Sequence, residues 1–369
     1  MIESSNACDV GLINIKNNTV KFNVMILNNY ISPPLVTVLM GVYNAATYLH
    51  ESIDSILHQT FTDFEFLIYN DGSTDTTAEI VRSYTDPRII FFDNPVNRSV
   101  SPNMNEGIDR ARGRYIVRMD GDDIAHPERI ARQLAYMEAH PEVGLCGSAV
   151  RYIGASKAIK LVPTDNGTIQ YTMWLQNSFF QPAVIIRTQV LLDNNLRYNV
   201  AYECAEDYKL WADMCSVTEV HNLSEVLLDY RIHPHQISRR RSLAQRQVSA
   251  RIQREQMERL NIRLEPAQTS AFELLTIGEP HTFTSNEYEQ VATLLEDFGR
   301  QARQSAMPVH IVYQVLSQQW ARILEATQQY RLALIPFVMR QPLRKHIASG
   351  RLLKLLTKCL ISWQVKQPV

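Results

Sequence analysis

The chain has 369 residues, of which 45% are hydrophobic and 20% charged, with a net charge of -1. This is an ordinary globular composition, with length for one large domain and an appendage. Five cysteines, Cys8, Cys146, Cys204, Cys215 and Cys359, show no CxxC pair and no regular spacing, which argues against a zinc ribbon or disulfide framework and for a reducing compartment.

The N-terminal segment has no apolar run of the signal-peptide kind, and the apolar stretch at 332–339 is far shorter than the roughly 20 residues a bilayer crossing needs. A cytoplasmic location is expected, with no nucleic-acid partner. Residues 1–33 read as a weakly patterned extension. From Pro34, β-rich runs alternate with helical patterns, the rhythm of βαβ units around a mostly parallel sheet. Residues 36–40 (VTVLM) read as a buried strand, and 46–59 as a helix with Leu49, Ile53, Ile56 and Leu57 at helical spacing. A strand at 64–69, a helix at 75–84, a strand at 89–92, a helix at 103–111 and a strand at 115–119 follow, the last running into Asp120-Gly121-Asp122-Asp123. After Pro127 a helix gives way to the apolar run VGLCGSAV and a less regular stretch through Ser238. From Arg239 the pattern is helical, with Leu243, Val248, Ile252, Met257 and Leu260 at near-helical intervals. The expected organisation is an extension (1–33), an α/β domain (34–238) and a helical C-terminal region (239–369).

The tail is one-sided in charge: no Asp or Glu follows Glu325, whereas eight Lys and Arg do. As one helix, 344–363 would place Arg344, Arg351, Lys354 and Lys358 on one face and Leu352, Leu353, Leu356, Leu360 and Trp363 opposite. Such a helix either packs on the body of the protein or lies on anionic lipid, giving a peripheral contact at the inner face of a membrane. Gly350 weakens a long uninterrupted helix there.

Ligands of open parallel sheets sit beyond the carboxyl ends of the strands. Three polar clusters fall there: Tyr43-Asn44, Asp71, and the four residues from Asp120. Each also suits a turn or a helix cap, and NDGSTD predicts a turn with Asp75 capping the next helix. In the last cluster three carboxylates within four residues repel each other unless a cation or strong donors compensate them. Oxygen ligation suits Mg or Mn. Gly121 is expected to permit a tight bend, so that the carboxylates on either side divide their labour.

VTVLMGVYN, EFLIYNDGSTDTT, NRSVSPNMNEGIDRARGRYIVRMDGDD, AEDYKLW and YRIHPHQIS occur in this order. Together they closely resemble family-2 glycosyltransferases of the GT-A fold, over about residues 34–238. The resemblance implies an α/β fold of GT-A type: a mostly parallel, Rossmann-like central sheet flanked by helices, here with a C-terminal helical appendage. It implies inverting transfer of a sugar from a nucleotide-sugar donor, a UDP-sugar foremost, to a hydroxyl of a glycan or lipid-linked acceptor, assisted by a divalent metal (Mn or Mg).

Position by position, the resemblance implies that Tyr43 and Asp71 line the base pocket, with Asp71 accepting a nucleobase N–H. Asp120 would lie near the ribose and sugar hydroxyls, and Asp122 would ligate the cation that bridges the diphosphate. Asp207 of AEDYKLW would be the general base, with Glu206 its neighbour. His233 would complete the metal site, with His235 a rival ligand and Ser238 closing the motif. The chain departs from the family at Gly41, where Pro is common, and at Gln181, where a His precedes the equivalent of Pro182. The second departure means that substrate specificity does not carry over. A glycoside hydrolase would need no nucleotide pocket. A sugar-phosphate nucleotidyltransferase should carry a Gly-rich loop where this chain has MGVYNAATY, and intact Asp71, Asp122 and Asp207 oppose an inactive nucleotide-sugar-binding protein.

Overall fold

The computed structural model describes residues 12–15, 18–21, 33–234, 242–278, 283–304, 308–326, 334–340 and 343–364. His235 and Ser238 lie outside the described residues, as do the side chains of Leu360 and Trp363.

Strands β1 (Leu12–Ile15) and β2 (Asn18–Lys21) form an antiparallel hairpin within the N-terminal segment. The main sheet starts with β3 (Val36–Val42), β4 (Phe64–Asp71), β5 (Ile89–Asn94) and β6 (Tyr115–Asp120). It continues with β7 (Ile124–Ala125), β8 (Val143–Gly154), β9 (Ile159–Lys160), β10 (Ile185–Arg187) and β11 (Glu219–Ile232). Its order is β5-β4-β3-β6-β10-β8-β11-β7, with β9 paired to β8. The pairs β3–β4, β3–β6, β4–β5 and β8–β11 are parallel, while β10 runs antiparallel to both β6 and β8. Every residue of β4 is buried, as a parallel strand covered on both faces requires. Each fully buried Val, Ile or Leu of this layer contributes about 1.5–3 kcal/mol.

The helices covering the sheet are α1 (Leu49–Leu57), α2 (Thr77–Ser83), α3 (Val100–Arg110), α4 (Arg129–Ala139), α5 (Asn166–Thr172), α6 (Thr188–Asp193) and α7 (Glu206–Met214). α1 turns Leu49, Ile53 and Ile56 into the core, the periodicity seen in the sequence, but its regular turns begin three residues later than expected. Asp75 lies outside α2. Its Oδ1 accepts the Thr77 N–H at 3.0 Å, while Thr76, the residue immediately before the helix, makes no side-chain cap.

The C-terminal region is helical: α8 (Ser242–Arg259), α9 (Thr269–Thr276), α10 (Ser285–Gln304), α11 (Val309–Ala326), α12 (Ile335–Val338) and α13 (Ser349–Gln364). These helices share a hydrophobic core with Trp174 and Leu175. α8 also joins the core of the sheet through Ile252 and grips α7: Arg259 donates to the Ala212 carbonyl at 3.0 Å, and Glu255 pairs with Lys209 at 3.2 Å.

The tail differs from a single helix over 344–363. A 3-10 turn, Leu343–His346, precedes α13, and Gly350 falls in the first turn of α13 rather than interrupting it. Leu355 and Cys359 are buried in the helical core, with Leu352 and Leu356 packed against it, whereas Leu353 faces solvent and Arg351 pairs with Glu325. Leu352, Leu355, Leu356 and Cys359 therefore turn toward the helical core. Among the described residues no helix is long and apolar enough to cross a membrane.

Candidate functional site

Strand register assembles one end of the sheet. Gly41 of β3 pairs with Tyr69 of β4 on one side and Asp120 of β6 on the other, so Tyr43, Asp71 and Asp122 all emerge two residues beyond a single row, at the carboxyl edge where ligands collect. Tyr43 is half exposed. Asp71 is buried, and its Oδ1 accepts the Arg98 N–H at 2.8 Å and Asn103 Nδ2 at 2.7 Å. The turn after Asp71 depends on Gly72, whose φ of +70° favours glycine and whose missing side chain admits the Val96 and Asn97 backbone. Asn44, at φ 49°, ties the first loop to the second by accepting the Thr74 N–H at 2.8 Å.

The loop after β6 is placed by a distant strand. β7 pairs with β11, Ala125 opposite Leu228 and Ile124 opposite Asp229. Stepping back from Ile124 and forward from Asp229 brings Asp122 and Asp123 beside Arg231 and His233. Asp123 is buried and accepts the Arg231 N–H at 2.7 Å on Oδ1, while Oδ2 has no hydrogen-bond partner among the described residues. Asp122 is more accessible, and its Oδ2 lies 2.9 Å from His233 Nε2. Arg231 clamps this corner: Nε donates to the Asp122 carbonyl and Nη2 to Glu51, both at 2.7 Å, and the guanidinium lies 4.3 Å over the Tyr48 ring. Gly121 lies in the turn expected at this point. Its φ is not in the left-handed region, and a Cβ there would come 2.8 Å from Val42 Cγ1, so the need is for close packing.

Beneath the carboxylates lie two buried arginines that sequence reading missed. Arg118 donates to the Leu39 carbonyl and, at 3.3 Å, to Asp120 Oδ1; Arg129 donates to the Arg118 carbonyl at 2.8 Å. The signal for Arg118 was available, since alternation along β6 puts it on the face of Ile116 and Asp120. Burial raises the Asp120 carboxyl to about 6 against the pull of Arg118, with Asp122 adding to the rise. Burial, with Asp122 and Asp120 beside it, holds Asp123 well above the usual range. The same burial lowers Arg129 to about 9.

α7 brings the second pair of acids. Glu206 and Asp207 occupy its first turn, where the helix dipole favours them, while Leu210 and Trp211 are core. Burial, then the charges of Glu206 and Asp120, push Asp207 up to about 7. Asn177 Nδ2 donates to Asp207 Oδ2 at 3.2 Å. Burial also raises Glu206, whose Oε2 has no hydrogen-bond partner among the described residues. The Tyr230 hydroxyl feels the charges of Asp123, Asp120, Asp122 and Asp207 together, so α7 and the loop after β6 face one space. Gln181 starts a 3-10 turn, Gln181–Ala183, packed along β6.

The residues present suit a divalent cation that completes its shell with substrate oxygens. Asp122 and His233 meet at a partly exposed corner, and Asp123, next in the chain, has a carboxyl oxygen with no hydrogen-bond partner among the described residues. Among the described residues no group of three or more His, Cys, Asp or Glu is arranged to hold a metal alone. One or two protein ligands plus phosphate oxygens is the usual arrangement for Mg.

Residues 37–192 match the model of glycosyl transferase family 2. An uncharacterized glycosyltransferase of Haemophilus influenzae is 32% identical over 236 residues, covering 60% of this chain and 73% of the relative. The O-antigen biosynthesis glycosyltransferase WbnJ of Escherichia coli is 30% identical over 207 residues, 54% of this chain and 80% of that protein. The crystal structure of residues 1–349 of S. aureus TarS in complex with UDP superposes with a TM-score of 0.52 at 19% identity, covering 89% of each chain. This last likeness establishes the GT-A architecture.

Proposed function

From the premise that the chain belongs to glycosyl transferase family 2, we propose that this glycosyltransferase moves a sugar from a nucleoside-diphosphate donor, a UDP-sugar foremost, to an acceptor hydroxyl with inversion. The observation that carries the reading is the convergence of Asp207 with the carboxylates after β6, through charges that Asp120 and Tyr230 share with both groups.

Asp207 is the proposed base. Sugar hydroxyls are poor nucleophiles, and a carboxylate whose proton affinity lies near neutrality can accept the proton as the glycosidic bond forms. Asn177 fixes its orientation, and Glu206 raises its basicity. At the other end, Tyr43 and Asp71 would receive the base. Asp71 Oδ1 is occupied by Arg98 and Asn103, so a nucleobase N–H would be received by Oδ2. Asp120, steadied by Arg118, would meet the ribose and sugar hydroxyls.

A divalent cation, Mn or Mg, held by Asp122 and His233 would neutralise the diphosphate as it leaves. The catalytic unit would span 34–238, with the helices of 239–369 bracing α7. WbnJ is named for O-antigen biosynthesis, which supports a glycan or lipid-linked acceptor; on this reading the enzyme would act in polysaccharide assembly, at the cytoplasmic side of a membrane. Any peripheral contact would use cations of the tail rather than Leu352 and Leu356, which are packed inward.

The test is a screen of UDP-, GDP- and dTDP-sugars for cation-dependent binding and slow hydrolysis. Asp122→Ala should lose donor binding and Asp207→Ala should keep it while losing transfer; undiminished transfer by Asp207→Ala rules it out as base.

A further inference from the structure

Behind Asp71 lies a buried amide that sugar transfer itself does not use. Asn103, near the start of α3, is 2% exposed. Its Nδ2 donates to Asp71 Oδ1 at 2.7 Å and to the Ser99 carbonyl at 3.2 Å. Its Oδ1 accepts from Asn94 Nδ2 at 2.8 Å and from Arg98 Nη2 at 2.6 Å. Asn94 ends β5 directly opposite Asp71 in the parallel register. Arg98 also pairs at 2.9 Å with Glu106, three residues further along α3. The end of β5, the loop after it and α3 therefore meet at one amide.

These contacts fix which way the amide faces. Its oxygen meets two donors and its nitrogen two acceptors, so turning it over would set donor against donor and acceptor against acceptor. In a buried position that exchange is expensive. The loop is shaped to the same end: Ser99 holds φ at 71°, which a residue with a side chain rarely adopts, and its carbonyl accepts from Asn103. Asp71 is pinned in consequence. Its Oδ1 takes the Asn103 amide and the Arg98 backbone N–H, at 2.7 and 2.8 Å, and its Oδ2 accepts no hydrogen bond among the described residues.

A carboxylate offers only lone pairs. Held in one direction, Oδ2 suits a ring N–H such as the imide of uracil, whereas the bare N3 of cytosine would meet it lone pair to lone pair. A site built to hydrogen-bond one group rejects the analogue that lacks it. We infer that Asn103 is a positioning residue for nucleobase selection: it holds Asp71 so that Oδ2 alone faces the base, favouring a ring N–H over cytosine. The inference rests on the transferase reading above, in which Asp71 receives the base.

The experiment titrates the full chain with UDP and with CDP in Mn, followed by calorimetry. The wild type should prefer UDP. Asn103→Leu, similar in volume but without the amide, should weaken UDP binding by about tenfold or more and CDP binding far less, so that the preference shrinks. Thermal melting checks that this variant is folded. Arg98→Met, at an exposed position, gives a second reading: it removes a donor from Asn103 Oδ1, keeps the backbone N–H to Asp71, and should reduce the preference to a smaller extent. An undiminished UDP preference in both variants overturns the inference. So does an equal loss of UDP and CDP binding in Asn103→Leu, because an amide that served only the fold would affect both nucleotides alike. Failure of the underlying reading looks different: the wild type then binds neither nucleotide, or binds both equally, and the inference falls with it.

Discussion

Asp122 Oδ2 and His233 Nε2 stand 2.9 Å apart although 111 positions separate them in the chain. The contact exists because the two-residue strand β7 pairs with β11 immediately after the acidic turn. Without a cation, the imidazole N–H donates to the carboxylate; with one, both groups could turn lone pairs toward it.

Replacing His233 with Ala should weaken Mn-dependent binding of a nucleoside diphosphate by at least about tenfold and leave cation-free binding little changed. Titration calorimetry with and without Mn measures both. Equal Mn dependence in the variant and the wild type would show that the cation is held without His233.

The Asp207 carboxyl, raised to about 7 by burial and by Glu206, must be ionised to accept a proton. For the free enzyme, kcat/KM should therefore climb with pH and level off above about 7, and Asp207→Asn should lower kcat by about 100- to 10,000-fold. Stability runs the other way. A carboxyl whose folded pKa exceeds its unfolded value near 3.9 binds its proton more tightly in the fold, so stability falls as pH rises from about 4 to 7. In chelator, Asp207→Asn should melt higher than the wild type at pH 8, with the gap narrowing at pH 5. A constant gap would show that ionisation of Asp207 does not oppose the fold.

Arg231 holds the Asp122 carbonyl, Glu51 and the Tyr48 ring together. Arg231→Gln should cost about 1–3 kcal/mol in urea unfolding and weaken donor binding, whereas Arg231→Lys, which keeps the charge near Glu51 but loses the fork, should fall between. An unfolding midpoint like the wild type's in Arg231→Gln would mean that the loop is held without the clamp.

Leu355 is 1% exposed within the helical core. Leu355→Ala should cost about 2–5 kcal/mol, and Leu353→Ala, at a position 66% exposed, close to nothing. Guanidinium unfolding followed by circular dichroism distinguishes the two. Reversed sensitivities would mean that Leu353, rather than Leu355, supplies the packed face of α13.

Much of the architecture could be read from local pattern. The apolar runs of β3, β4 and β6 and the helical spacing of Leu49, Ile53 and Ile56 announced their elements, because periods of two and of 3.6 residues follow from backbone geometry alone. Polar residues directly after those strands marked the ligand edge, and ordered motifs named the family before any coordinates. Boundaries drifted by one to three residues at α1, α2 and α3, where turns that precede a helix share its composition.

What the chain could not reveal by itself were relations between distant segments. Burial of Arg129 under the acids, the Arg231 clamp, and the Asn177 contact to Asp207 depend on which strands pair and in what register. The tail shows the same division. Its excess of cations is plain from composition, but only tertiary packing decided that Leu352, Leu355 and Leu356 face a protein core while Leu353 does not, because one amphipathic pattern satisfies a bilayer and a helical core equally well.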